Sequence, residues 1–117
     1  MKELQHDLLT SKHTRVLHEE NYQFNAPHKF TIEKPDTAEI LNEIKFQEGP
    51  IKEQGVNGIH NEDLIAIVIC RLEHFQRSEF SCRENAIAIT KLEEALLWLR
   101  KRTMGRERRH VEGTSLK

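Results

Sequence analysis

Apolar and polar residues alternate along residues 22–48, which is the period of a β-strand. The apolar positions there hold aromatic and β-branched residues, which favour strands, namely Tyr22, Phe24, Phe30, Ile32, Ile40, Ile44 and Phe46. The pair Pro35-Asp36 marks a turn between two such runs. The pattern predicts a small antiparallel sheet over residues 22–48. Residues 1–20 show only a weak apolar pattern, so we predict a flexible N-terminal segment there.

The C-terminal half instead repeats its apolar residues every three or four positions, the period of an amphipathic helix. We predict a glycine-containing loop at 49–60, then helices at 61–77 and 82–109, with Asn61 and Ser81 as their N-caps. The fold class is therefore α+β, with residues 21–117 as one domain. Both helices have wide apolar faces, so we expect them to form an oligomer interface. The residues expected to be buried, many of them between chains, are Leu64, Val68, Leu72, Leu92, Leu96 and Leu99.

The composition bears on the cellular compartment of the protein. Its 117 residues carry a net charge of −1, and no apolar run approaches the roughly 20 residues of a membrane span. The N-terminus has no apolar stretch of the kind found in secretory signals. Cys70 and Cys82 match no metal-ligand spacing, so we expect two free thiols in a reducing cytosol, with Cys70 buried.

Signatures of catalysis are absent from the sequence. It has no glycine-rich phosphate loop leading into a helix, no Cys-x-x-Cys and no nucleophile elbow. None of the seven histidines pairs with another at i, i+4 spacing within a predicted helix. We therefore expect a protein that is not an enzyme and that uses no metal and no cofactor.

Basic residues cluster at the end of the second helix, where Glu107 is the single acidic residue. In a chain of balanced charge, this indicates a local anion site, or else a solvated helix end that complements the helix dipole. Arg102 and Arg106 are four residues apart and point to the same side of a helix. Two guanidinium groups at this spacing suit bidentate contacts with phosphate oxygens. The cluster comprises Arg100, Lys101, Arg102, Arg106, Arg108 and Arg109.

Two further side chains suit a nucleotide ligand. Phe75 can offer a ring face to a base, and the amide of Asn85 can read a base edge or a ribose. Asn85 and Arg102 are 17 residues apart, about 25 Å along one helix, so they cannot line one small pocket within a single chain. A second, antiparallel copy of the helix brings them together. The spacing thus predicts a two-fold homodimer with two equivalent pockets.

As a combined pattern, residues 29–114 resemble phage Thoeris anti-defence proteins, a family of cyclic-nucleotide sponges related to anti-CBASS sponges. The likeness includes Gly55-Val56-Asn57-Gly58 and Arg106-Glu107-Arg108-Arg109. His110 departs from the pattern, since a glycine is expected there, and this bears on the conformation of the tail. The other matching segments are 46–53, 61–69, 82–86, 91–96 and 111–114.

The resemblance implies a non-catalytic protein that sequesters glycocyclic ADP-ribose, the signal of Thoeris immunity, in the cytoplasm of the host bacterium. It implies a homodimer, or a hexamer of three dimers, without DNA, RNA or membrane partners. In the family a Phe, an Asn and two Arg hold the ligand, and they fall here on Phe75, Asn85, Arg102 and Arg106.

Some members of the family also hold the cyclic di- and trinucleotides of CBASS immunity in separate pockets. Lys52 and Arg77 are available cations for such a second pocket. Two alternatives to the sponge stay open at this point. One is a dimeric helical adaptor or nucleic-acid-binding protein, although the chain is not basic overall. The other is an enzyme that degrades the signal, for which the sequence offers no general base.

Overall fold

The computed structural model describes residues 1–117, and the chain divides into two compact units. The first, Met1–Ile59, contains four strands and a one-turn helix, and the second, His60–Lys117, contains two long helices. The predicted α+β class, with an antiparallel sheet before the helices, is confirmed. None of the helices combines the length and the apolar character that crossing a membrane requires.

The sheet is an antiparallel meander in which each strand pairs with the next one along the chain. Its strands are β1 (Lys2–Glu3), β2 (Arg15–His18), β3 (Lys29–Glu33) and β4 (Ile40–Lys45). The Arg15 guanidinium pairs with the Glu33 carboxylate across β2 and β3, with Nε 2.6 Å from Oε1. On β3, Phe30 packs edge-to-face against Phe46, with ring centroids 5.5 Å apart.

The sheet begins earlier than the alternation predicted. Residues 1–20, expected to be a flexible segment, contain β1 and β2, and β2 supplies hydrogen-bond partners to the side of β3 that faces away from β4. Residues 22–28, expected to belong to the sheet, form a loop. Phe24 and Asn25 have φ values of 55° and 75°, which are incompatible with a strand. The loop is closed by the ring of His28, whose Nε2 lies 2.7 Å from the carbonyl oxygen of Gln23.

The segment 49–60 was predicted as a loop, and it contains a one-turn helix, α1 (Ile51–Gln54). Asn57 fastens this segment to the chain after β4, because its side chain accepts from the Glu48 N–H and donates to the Glu48 carbonyl, both at 2.8 Å. Gly58 is required for close approach, since a Cβ there would lie 2.4 Å from the backbone of Phe46. Positive φ occurs in this segment at Gly49 and Gly55, with values of 84° and 71°.

The two long helices, α2 (Asn61–Gln76) and α3 (Arg83–Arg108), begin and end within one residue of the predicted positions. The N-caps are His60 and Cys82, each displaced by one residue from the predicted Asn61 and Ser81. The long apolar repeat thus located both helices, and the predicted capping residues were wrong.

The helices form an antiparallel hairpin joined by residues 77–82. The side chain of Gln76 closes the hairpin, because it donates to the Cys82 carbonyl and accepts from the Cys82 N–H, both at 2.9 Å. At about 1.5 Å per residue, α2 is about 24 Å long and α3 about 39 Å. The last turns of α3 therefore project past the start of α2.

Very few apolar side chains are buried in this hairpin. Ile69 is the one buried apolar residue of the chain, and Val68, which was expected to be buried, is 44% exposed. Leu64, Leu72, Leu92, Leu96 and Leu99 are half-buried. The hairpin also exposes a broad apolar surface, which comprises Ile67, Val68, Phe75, Ile87, Leu97, Trp98 and Met104.

Candidate functional site

Arg102 and Arg106 lie in the last two turns of α3, on the part that projects past α2. Glu107, the acidic residue of the basic cluster, is engaged by Arg100, with Nη1 3.1 Å from Oε1. Arg102 is exposed and has no hydrogen-bond or ion-pair partner within the chain. No carboxylate neutralises Arg102 or Arg106, so both charges remain available to an anion.

Arg106 differs from Arg102 because it is half-buried and already partly engaged. Its Nη2 donates to the carbonyl oxygens of Val111 and Thr114, at 3.1 and 3.0 Å. Both bonds use the two hydrogens of Nη2, so the N–H of Nε and those of Nη1 remain for other acceptors as separate donors. The C-terminal residues thus hold the Arg106 guanidinium in one orientation.

Phe75 lies near the C-terminal end of α2 and is 38% exposed. The guanidinium of Arg71, one turn earlier, lies 5.2 Å from the centroid of its ring. This is the geometry of a cation–π contact, and it covers one face of the ring. A base that stacks on Phe75 would therefore have to use the face that Arg71 does not cover.

Asn85 lies in the first turn of α3 and is half-buried. It shares the connected end of the hairpin with Phe75, whereas the arginines lie near the opposite end of α3. Because α3 is continuous, Asn85 is about 25 Å from Arg102 and about 32 Å from Arg106 along its axis. Within one chain the four residues therefore form two separate pairs.

The two cations predicted for a second pocket are both exposed. Lys52 lies on α1 in the first unit, and Arg77 is the C-cap of α2 in the second. Their shared pocket stays a prediction.

No group of three or more His, Cys, Asp and Glu side chains is arranged to hold a metal ion. The prediction that Cys70 is buried is wrong, since both cysteines are exposed in the single chain. Cys70 lies on the groove between α2 and α3, and its Sγ is 3.8 Å from Nδ1 of His74. Ile69 and Leu96 line the same groove, but they do not cover Cys70.

Sequence reasoning missed two features of the site. The i, i+4 spacing of Arg71 and Phe75 was a usable signal for their contact. The carbonyls of Val111 and Thr114 carry no such signal, because any residue type supplies a carbonyl and only the folded turn brings it to Arg106.

Comparison with known proteins adds the family. Residues 38–104 match the family model described as "Acb2/Tad1, hairpin domain", a range that contains α2, Asn85 and Arg102. The chain is also 50% identical, over 139 aligned residues, to "Thoeris anti-defense 1" of Bacillus phage SBSphiJ7. That alignment covers 97% of this chain and 98% of the relative. The chain therefore belongs to the family of phage Thoeris anti-defence proteins.

Proposed function

We propose that this protein is a non-catalytic sponge, which binds glycocyclic ADP-ribose in the cytoplasm of the host bacterium and withholds it from the Thoeris effector. The observation that carries the proposal is the pair of arginines one turn apart on α3, neither of which is neutralised by a carboxylate. A diphosphate fits such a pair because the Arg102 guanidinium offers two parallel N–H donors to phosphate oxygens, and Arg106 adds the N–H donors of Nε and Nη1. Phe75 and Asn85 supply the stacking surface and the polar contacts for the rest of the ligand.

The complete site requires two chains. A two-fold axis near the middle of α3 places the start of one α3 beside the end of the other, so that Asn85 faces Arg102 and Arg106 of the second copy. Each dimer then contains two equivalent pockets. The family membership supports this proposal, and three such dimers in a hexamer are compatible with it.

The exposed apolar surface of the hairpin supports the same assembly. Leu97 and Trp98 are 70% and 67% exposed on α3, and Ile67 is 61% exposed on α2. Adjacent large apolar side chains on a small protein usually mark an interaction surface. A second hairpin that covers them removes apolar area from water, which favours association by about 25 cal/mol per Å².

One experiment separates the sponge from its alternatives. The protein is incubated with glycocyclic ADP-ribose, freed of unbound ligand and heat-denatured, and the released small molecule is analysed by mass spectrometry. A sponge returns the intact ligand at about one per chain, given two pockets per dimer. An altered molecule indicates an enzyme, and no uptake favours the adaptor. Arg106→Ala should lose the uptake, and Arg108→Ala, an exposed arginine of the same cluster, serves as the matched control.

We propose in addition that cyclic di- or trinucleotides of CBASS immunity bind outside the glycocyclic ADP-ribose site, and that Lys52 and Arg77, both exposed, are each candidate cations for them. Calorimetric titration of the Lys52→Ala, Arg77→Ala double variant with a cyclic trinucleotide tests this. Lost trinucleotide binding with unchanged glycocyclic ADP-ribose binding supports two separate pockets. Unchanged trinucleotide binding contradicts the assignment of these two cations.

A further inference from the structure

The chain after α3 folds back onto the end of that helix. Residues 110–114, here called the C-terminal turn, carry the two carbonyls that accept hydrogen bonds from Nη2 of Arg106, those of Val111 and Thr114. Two charge-assisted bonds from one nitrogen to two fixed carbonyls determine the plane of a guanidinium.

The C-terminal turn begins as a Schellman motif. The N–H of His110 donates to the Glu107 carbonyl and the N–H of Val111 to the Arg106 carbonyl, both at 3.0 Å. These are the two bonds of that motif, with His110 in its left-handed position at φ 60°. The departure from glycine at residue 110 therefore leaves the tail conformation intact, at the cost of backbone strain in His110.

A second, tighter turn follows directly. The N–H of Thr114 donates to the Val111 carbonyl at 3.1 Å, and Gly113 adopts φ 72° as the third residue of this turn. The Thr114 hydroxyl donates to the same carbonyl at 2.5 Å. The Val111 carbonyl is thereby fixed by the turn, and this turn also brings the Thr114 carbonyl to Arg106.

We propose that the C-terminal turn is a positioning element of the ligand site, and this rests on the proposed role of Arg106 in binding glycocyclic ADP-ribose. The turn occupies both hydrogens of Nη2 and fixes the orientation in which Nε and Nη1 are presented, as separate donors, to the ligand phosphate. A preorganised arginine loses less side-chain freedom on binding than a free one. Arg102 has no partner of this kind, so the two arginines contribute unequally to the site.

Three variants of the turn test this without touching the helix. Gly113→Val forces a β-branched residue into positive φ and breaks the second turn, while the Schellman bonds of His110 and Val111 can remain. Gly113→Asn tolerates that conformation and should preserve the turn. Glu112→Ala is the control, because Glu112 precedes Gly113 in the same turn and does not have positive φ. Helix content measured by circular dichroism should be equal in all three.

Calorimetric titration with glycocyclic ADP-ribose gives the first readout. Gly113→Val should weaken binding about 3- to 10-fold, which is the scale of fixing one long side chain. Gly113→Asn and Glu112→Ala should each weaken binding by less than about twofold. In an Arg106→Ala background, Gly113→Val should have no further effect, because the turn acts through that side chain. Equal losses in both backgrounds, or no loss in either, overturn the positioning role.

A second readout needs no ligand. Rotation of the Arg106 guanidinium, followed by nitrogen-15 NMR, should be restricted in the free wild-type protein and released in Gly113→Val. Restricted rotation that persists in Gly113→Val overturns the positioning role. If Arg106→Ala binds glycocyclic ADP-ribose as tightly as the wild-type protein, the proposed ligand site itself is wrong. If Arg106→Ala loses binding and Gly113→Val does not, only the positioning role is wrong.

Discussion

The separation of Asn85 from Arg106 along α3 makes a prediction that only a two-chain pocket can satisfy. Asn85→Ala and Arg106→Ala should each weaken the binding of glycocyclic ADP-ribose, and chains of the two variants mixed together should recover tight binding. In the mixed dimer one pocket carries both substitutions. The other pocket combines the intact Asn85 of one chain with the intact Arg106 of its partner.

The structure sets the size of the single losses. The Arg106 guanidinium is half-buried and carries no compensating carboxylate. Removing its charge-assisted bond to a phosphate should cost about 1.5–3 kcal/mol, which is roughly a 10- to 100-fold loss of affinity. Arg106→Lys should recover only part of this, since one ammonium cannot take the positions of both Nη2 and the remaining N–H donors of the guanidinium. Neither change removes an apolar contact of the hairpin, so the helix content should stay unchanged.

The assay is a titration of three samples, the two variant proteins and an equimolar mixture that has been unfolded and refolded together. Random pairing makes about half of the dimers mixed, and each of these has one intact pocket, so about a quarter of all pockets should bind at wild-type affinity. A mixture that shows only the weak binding of its parents would refute the opposite-chain pocket. Tight binding by either variant alone would refute the role of that residue.

Three further predictions follow from particular contacts. His110→Gly should stabilise the fold by about 0.5–1 kcal/mol and raise Tm by a few degrees, because glycine adopts positive φ without strain; the same change at His13, which lacks positive φ, should not stabilise. Arg71→Ala should weaken ligand binding about two- to fivefold if the guanidinium on Phe75 supports a stacked base, and unchanged affinity would contradict this. Tm measured by circular dichroism should fall as the protein is diluted, since association buries the surface around Trp98, and a Tm independent of concentration would contradict the dimer.

The helices were predictable and the start of the sheet was not, for a physical reason. The apolar repeat of α3 recurs from Ile87 to Leu99 within a long helix, so errors at either end hardly matter. By contrast, β1 and β2 have two and four residues, too few to establish a period. Tyr22 and Phe24 alternate with polar residues as a strand does, but the positive φ of Phe24 belongs to a loop.

The candidate site was predictable only where residue type carries the information. Charge and spacing pointed to Arg102 and Arg106, and α3 confirms that they lie one turn apart on a single helix. The support of Arg106 by the C-terminal turn was not predictable, because the bonds end on backbone carbonyls. The burial of Cys70 was misjudged because apolar residues beside it in the groove, such as Ile69, do not cover it in the single chain.

The proposed dimer would account for two observations at once, the exposed apolar surface and the separation of Asn85 from the arginines along α3. A single chain carries the arginine pair at one end of α3 and Asn85 at the other, too far apart for one pocket. Its helical hairpin buries a single apolar residue. Association completes two pockets and covers the apolar surface in the same step. By linkage, a ligand that binds only the completed pocket must stabilise the dimer by as much as dimerisation strengthens ligand binding. If the protein is the proposed sponge, sequestration is therefore strongest where protein and signal are both abundant, because the ligand favours dimerisation and dimerisation favours ligand binding.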